Sequence, residues 1–313
     1  MSIDKPIFRF AEFLGCLLLA SPWLPQWAMF MITIAGANGM VVLGLMLFLR
    51  AGLVSFGQAL YFCVGAYATG LMTQMFKFTD IFVLLISAGV MSGVLAYILG
   101  FLLAKYRAIF FGLLSLAFSM ILYGLLAKTE ALGSTDGFNI PAITILGWLP
   151  PQPLVRVTIL AVTFAVMLLC LTFVNGLLRS PRGLLLTAIR DNEIRTEYMG
   201  ASAQRTIHLI YVIAGVLAGL GGALAAVAVG HIDPAMAFWT TSGEFIFITI
   251  LGGIGSVLAP FLGSMVFGVI HTVAFANSPN TWQMMIGLAP IAVILLLPDG
   301  LWSLVSRMKK ARA

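Results

Sequence analysis

Charged side chains are the scarcest feature of this sequence: Asp, Glu, Lys and Arg make up 9% of its 313 residues, against about 25% in soluble domains. Recognisable catalytic signatures are missing too. No GxxxxGK[ST] loop occurs, so the chain offers no ATP-hydrolysing site of its own, and there is no Rossmann fingerprint. His208, His231 and His271 belong to no HExxH motif or Cys/His cluster, so no metal site and no bound cofactor are expected. Cysteine is limited to Cys16, Cys63 and Cys170. All three fall in apolar runs and read as small core hydrophobes, not bridges. After the first apolar run, SPWLP is a poor small-residue cleavage site, so no cleaved signal peptide is expected.

What remains is apolar. The sequence is 61% hydrophobic, with a mean hydropathy of +1.07. A soluble core in a chain of this size cannot hide that much apolar surface. The fold class is therefore an all-α polytopic integral membrane protein, with residues 1–313 as one transmembrane domain. Apolar runs at 7–24, 27–49, 51–76, 81–103, 107–127, 154–178, 207–229, 242–258, 260–277 and 281–297 give about ten membrane-embedded segments. Hydrocarbon takes roughly 20 residues to cross. The run 242–258 is short and 51–76 is rich in Gly and Ser, so either can be broken and buried in protein. Gly52-x-x-Ser55-x-Gly57 and Gly253-x-Gly255-Ser256 both open Gly-rich runs. Such a pair fits an inverted-repeat core.

Basic residues set the orientation. With the N-terminus in the cytoplasm and ten crossings, 14 of the 17 Lys and Arg fall inside. Only Lys77, Lys128 and Arg156 fall outside. Both termini are thus expected in the cytoplasm. The net charge of +6 follows from this bias. The tail RMKKARA sits beside anionic lipid headgroups, and no nucleic-acid partner is implied. The largest external loop, 128–153, has no hydrophobic period and several Gly and Pro turns. It either covers the outer mouth of the bundle or is a plain connection.

One long stretch is polar: RSPRGLLLTAIRDNEIRTEYMGASAQR, within a cytoplasmic loop at 179–206. An unpaired charge in hydrocarbon costs about 2.5–3.5 kcal/mol, so this stretch lies in water. Thr187 to Met199 can form a short solvated helix, with Asp191 and Arg195 attracting, and Glu193 and Glu197 repelling, at four-residue spacing. Gly200 stops or bends it. A charged helix between membrane spans is a handle for something outside the membrane. The plainer reading is a solvated loop, and catalysis by Glu193 and Glu197 is the least favoured.

Few polar residues interrupt the apolar runs. Glu244, in TTSGEFIFITILGG, should face protein, a cavity or the interface instead of lipid, which allows a role in gating or at the external vestibule. Its plainer reading is a helix N-terminal charge following Thr240, Thr241 and Ser242. Asn38 and Gln58 either line a passage or tie helices together. Gly219, Gly221 and Gly222 read as one smooth helical face. Gly252, Gly253 and Gly255 precede Ser256 and Pro260, where close packing or bending follows.

Four stretches carry a family resemblance: AGLVSFGQALYFCVGAYATGL at 51–71; RAIFFGLLSLAF at 107–118 with GSTDGF at 133–138; IRDNEIRTEYMGASAQRTIHLIYVIAGVLAGLGGAL at 189–224; and IDPAMAFWTTSGEFIFITILGGIGSVLAPFLGS at 232–264, with LLLPDGLW at 296–302 closing the chain. In this order they resemble the permease subunits of branched-chain amino acid ABC importers, specifically the LivM-like member of the LivH/LivM pair. The sequence departs from that pattern at Gln58, where relatives often have His, at Ala131 to Thr135, and at Ser256 to Pro260.

The resemblance implies a bacterial inner-membrane permease. It would work with a homologous LivH-like partner permease, two cytoplasmic ATP-binding subunits that carry ATP and magnesium, and an external solute-binding protein. Arg190, Asp191, Glu193, Glu197 and Gly200 would form the ATPase-coupling segment. Ser55, Gln58, Tyr61, Thr241, Glu244, Gly252 and Gly253 would line the translocation path. The implied solute is a branched-chain amino acid; aromatic or other organic acids, urea and short amides are the alternatives. A self-contained secondary transporter is the more remote reading, because there is little buried acid to build a coupling-ion site. A membrane-bound enzyme would need a constellation that the sequence lacks.

Overall fold

The computed structural model describes residues 5–277, 281–297 and 300–304; the basic tail lies outside them. The chain forms helices α1 (Lys5–Leu19), α2 (Gln26–Arg50), α3 (Gln58–Gln74), α4 (Ile81–Leu103), α5 (Ala108–Lys128), α6 (Gln152–Arg179), α7 (Pro181–Tyr198), α8 (Ala203–Val229), α9 (Trp239–Gly252), α10 (Ala259–Asn277) and α11 (Trp282–Leu296). A two-residue ribbon, β1 (Phe138–Asn139) with β2 (His231–Ile232), is antiparallel. Six helices, α2, α4, α5, α6, α8 and α10, are long and apolar enough to cross a membrane by length and composition. The fold is therefore all-α and polytopic.

Local chemistry sets the helix starts. The Asp80 carboxylate accepts from the Phe82 amide at 3.0 Å and opens α4. The Ser202 hydroxyl accepts from Arg205 at 3.3 Å and opens α8. Each satisfies an otherwise orphaned donor in the first turn. Pro25 and Pro151 precede α2 and α6 in extended conformation.

Long-range contacts define two ends of the bundle. At one, Arg50 Nη2 donates to the Ile254 carbonyl at 2.8 Å, and the Leu301 amide donates to Leu251 at 2.9 Å. This end also holds α7, packed near Gly52. At the other, Ile140 donates to Gly230, Ile81 to Thr144 and Thr144 to Thr79, with Gln74 Nε2 on the Asn139 carbonyl at 3.0 Å. The loop at 128–153 is thus stitched onto the ends of α3 and α8 and the start of α4.

Helices α2 and α8 occupy the centre: 78% and 67% of their most apolar windows are buried, against 33% for α4 and 28% for α5. The outer faces of α4 and α5 leave Ile86, Val90, Val94, Ile98, Ile109 and Leu113 exposed, at spacings suited to lipid contact.

The Gly- and Ser-rich run 51–76 is broken, as its composition allows, because α3 begins only at Gln58. Two sequence expectations need correction. The run 242–258 is displaced: α9 starts at Trp239 and ends at Gly252. The glycines of α8 do not make one face. A Cβ on Gly219 would meet Ser92 and Ala88 of α4; on Gly221, Ala37 and Val41 of α2; on Gly222, the Phe62 backbone of α3. Helix α8 is surrounded, so small residues are needed all the way round it.

Gly222→Val forces two backbones apart, and overpacking of this kind costs about 1–3 kcal/mol. We expect a lower apparent melting temperature in detergent and less monodisperse protein on size exclusion. Gly124→Val, where nothing lies within 4 Å of the added carbon, should change neither.

Candidate functional site

The polar handle is helical from Pro181, earlier than Thr187, and is two pieces joined at a kink. Asn192 leaves helical geometry (φ −161°, ψ 101°). Its Oδ1 then accepts from the Arg195 amide at 2.8 Å, capping the second piece. Four-residue spacing across the kink no longer places Asp191 beside Arg195 on one continuous helix. The ion pair formed here is instead Arg107 with Glu193. Arg107 Nε donates to Oε1 and Oε2 at 2.9 and 2.8 Å, and Nη2 to Oε1 at 2.7 Å. Arg107 Nη1 also donates to the Ala104 and Tyr106 carbonyls at 2.6 and 2.9 Å. One guanidinium thus closes the turn between α4 and α5 and clamps α7 to it. A planar fork suits this double duty, and charge-assisted bonds are the strong kind.

Sequence reasoning used Arg107 as a topology charge and as the start of the stretch 107–118, not as an ion-pair partner. Nothing in the spacing pairs it with a carboxylate 86 residues away.

Arg190 lies over the end of α2. A Cβ on Gly52, whose φ is +75°, would come within 3.2 Å of Arg190 Cγ. Beyond the clamp, Asp191, Arg195 and Glu197 are exposed. So are Ile194 at 69%, Tyr198 at 89% and Met199 at 80%. Gly200 (φ +88°) ends the helix, as its position suggests. The handle therefore presents a mixed charged and apolar surface at the end of the bundle.

Ser55, Gln58 and Tyr61 lie where α3 begins inside the protein. The non-helical backbone at 51–57 needs partners there. Phe56 N–H donates to Ser115 Oγ at 3.1 Å, and Gly57 N–H to Ser55 Oγ at 3.3 Å. Ala59 N–H, in the first turn of α3, donates to Ser242 Oγ of α9 at 3.1 Å. The starts of two short helices therefore meet. The sequence reading missed Ser115 and treated Ser242 as a local helix-start residue; only burial marks them, both at or below 1% exposed. Gln58 is 1% exposed and its Oε1 has no partner.

The remaining expected path residues do different things. The Tyr61 hydroxyl bonds the Tyr211 hydroxyl at 2.8 Å with rings edge to face, a tie between α3 and α8. Thr241 donates to Ala235 at 3.2 Å, closing its own segment. Glu244 is the sixth residue of α9, which begins at Trp239, past the first turn where a helix dipole acts. It lines a cavity between α2, α9 and α10. Gly252 packs on the Ala259 backbone, and Gly253 (φ +86°) turns the chain so that Gly300 can lie against it. Among the described residues, no group of three or more His, Cys, Asp or Glu is placed to hold a metal.

Apolar spans around a polar, partly non-helical interior, with a charged handle at one end, define a membrane transport subunit. The family model "Branched-chain amino acid transport system / permease component" matches residues 28–295. The chain belongs to that family. It is similar to the high-affinity branched-chain amino acid transport system permease protein LivM of Escherichia coli, 27% identical over 290 residues, covering 86% of this chain and 67% of that one. LivH of Salmonella typhimurium is 26% identical over 170 residues, covering 54% of this chain and 51% of that one. BraD of Pseudomonas aeruginosa is 26% identical over 147 residues, covering 47% of each. No solved structure matches.

The Arg107–Glu193 pair is partly exposed, at 28% and 31%, so its worth is about 1 kcal/mol. Arg107→Ala and Glu193→Ala should each lower the apparent melting temperature slightly, and the double variant no further. Additive losses in a double-mutant cycle would show that the two side chains are not coupled.

Proposed function

We propose that this chain is the LivM-like membrane subunit of a bacterial inner-membrane ABC importer, moving a small apolar or amphipathic solute inward by ATP-driven alternating access. It pairs with a homologous LivH-like permease, receives solute from an external binding protein, and couples to two cytoplasmic ATP-binding subunits that hold ATP and magnesium. The observation that carries this reading is the clamped handle. A solvated helix with Asp191, Arg195 and Glu197 beside exposed Ile194, Tyr198 and Met199 is the surface of an unsatisfied interface. The Arg107 fork ties it to the α4–α5 turn, so a push on α7 reaches the spans. Arg190 over Gly52 gives a second route, into α2. Residues 179–206 are thus the coupling loop and 128–153 the external loop.

An inverted-repeat core with ten membrane-embedded segments fits the packing. Helix α8 packs on α4 and α2 on α10; α3 packs on α4 and α9 on α10. Helix α3 touches α5 and α8, while α9 touches α11 and α2. Exchanging α2–α5 for α8–α11 maps these neighbours onto one another, and α2 and α8 run in opposite directions between the two ends. The starts of α3 and α9, with Ser55, Gln58, Tyr61, Thr241 and Glu244 near them, and Gly252 and Gly253 at the far end of α9, are the candidate translocation path. Short helices that begin inside the protein aim backbone N–H groups at a solute's carboxylate.

A branched-chain amino acid is the favoured solute. The relatives carry that solute in their names, and the candidate lining segments 51–71 and 242–264 offer many Gly, Ala, Phe and Ile and few charges. Burial at about 25 cal/mol per Å² holds an aliphatic side chain without an ionic grip. Aromatic or other organic acids, urea and short amides are the alternative solutes.

A photocrosslinker at Tyr198 or Met199 should label an ATP-binding subunit in the purified complex, and labelling of membrane subunits only would overturn the coupling role. Reporters fused within 129–141 and after Met308 should report opposite sides, with the second in the cytoplasm. Leucine, isoleucine and valine should stabilise the cognate external binding protein in a thermal-shift screen. Stabilisation by an aromatic acid or urea alone would replace the solute and keep the permease.

A further inference from the structure

We propose that the cavity between α2, α9 and α10 is a solute site inside this single chain, and that Glu244 binds a cationic nitrogen there. The cavity has a volume of about 480 Å³, within the roughly 300–1,000 Å³ usual for small-molecule sites. Its lining runs from Trp27, near the start of α2, and Val229, the last residue of α8, to Asn38, Glu244 and Ser264 deeper in the bundle. It is distinct from the junction at Ser55 and Gln58, neither of which lines it.

Three features mark a built site. Glu244 is a carboxylate within a membrane-embedded segment, where an ionised group needs a counter-charge. No Lys or Arg lines the cavity, and the only other titratable side chain in its wall is His271. Ser264 is 2% exposed, lines the cavity, and its Oγ has no hydrogen-bond partner. A hydroxyl buried this way costs free energy unless a ligand completes it. Asn38 adds an amide on the facing helix. Apart from Thr272, whose hydroxyl is bonded to the Gly268 carbonyl, the rest of the wall is apolar and aromatic, with Trp27, Phe30 and Phe267. Aromatic faces attract a cation and accept an aliphatic body equally well.

The complementary ligand is a small molecule with an ammonium group and an apolar body. Glu244 takes the ammonium, Ser264 and Asn38 complete the polar end, and the aromatic wall takes the body. This rests on the reading of the chain as a solute permease and narrows it: solutes without a cationic nitrogen, such as urea or 2-oxo acids, do not occupy this site.

The test separates the site from the identity of the solute. In a background with Cys16, Cys63 and Cys170 replaced, Met31→Cys places a thiol in the cavity wall. A cationic thiol reagent, aminoethyl methanethiosulfonate, should react about tenfold faster than the anionic sulfonatoethyl reagent, because a fixed charge acts strongly in a low-dielectric cavity. Glu244→Gln should remove that preference, and leucine should slow the reaction only when Glu244 is present. In the intact importer, Glu244→Gln should lower leucine uptake at least about tenfold, while loaded binding protein still stimulates ATP hydrolysis. A charge preference absent from the parent, or unchanged by Glu244→Gln, overturns the site and leaves the permease reading standing. Protection by a different amine-bearing solute, with none by leucine, isoleucine or valine, upholds the site and overturns the branched-chain assignment. Protection by urea or a 2-oxo acid overturns the ammonium assignment.

Discussion

Lipid tails are as apolar as leucine, so burial alone gives two helices little reason to prefer each other over the bilayer. The close contacts of this bundle are backbone against backbone, and they converge on α8. Gly222 meets the Phe62 backbone, Gly65 meets Gly219, Gly219 meets Ala88 and Ser92, and Gly44 lies 3.0 Å from Ala214 by its missing carbon. Dispersion across such contacts is small per atom and large in sum. The hydroxyl bond between Tyr61 and Tyr211 and the tilted and edge-to-face rings of Phe48, Phe111 and Tyr211 add to this packing.

The same constraint governs the polar interior. Backbone that is not helical can sit at membrane depth only if protein satisfies it. Buried serines from two different helices, Ser115 and Ser242, do this for the chain entering α3. The Ser242 hydroxyl ties the first turn of α3 to α9, and the Ser115 hydroxyl ties Phe56, just before α3, to α5. Gln58, buried beside this junction, has an unpartnered oxygen.

The polar handle is fastened to the bundle by specific contacts. Arg107 holds the carboxylate of Glu193 and two carbonyls of the α4–α5 turn at once. Helix α4 packs in turn on α8 and α3. Helix α7 also packs directly on α6, α8 and α2, so the handle meets the central helix both by direct contact and through the Arg107 guanidinium and α4. Arg50, bonded to Ile254, links the end of α2 to the segment between α9 and α10 in the same way.

The sequence by itself determined the class, the positions of most segments, the polar handle and its terminating Gly200, because hydropathy and charge are local properties that a bilayer reads residue by residue. The family was legible too, since its motifs are contiguous stretches such as 51–71 and 189–224. Only the tertiary structure decided which carboxylate Arg107 meets, that Ser242 serves α3 instead of its own helix, that the α8 glycines face three neighbours, and that Tyr61 is a tie. It also placed Asn38, Glu244 and Ser264 around one cavity. These are pairings between residues tens to hundreds of positions apart. An apolar helix with a weak amphipathic pattern, such as α8, does not announce which side meets which partner. That information exists only once the helices are packed, where a missing methyl group or a single hydroxyl sets the distance between two backbones.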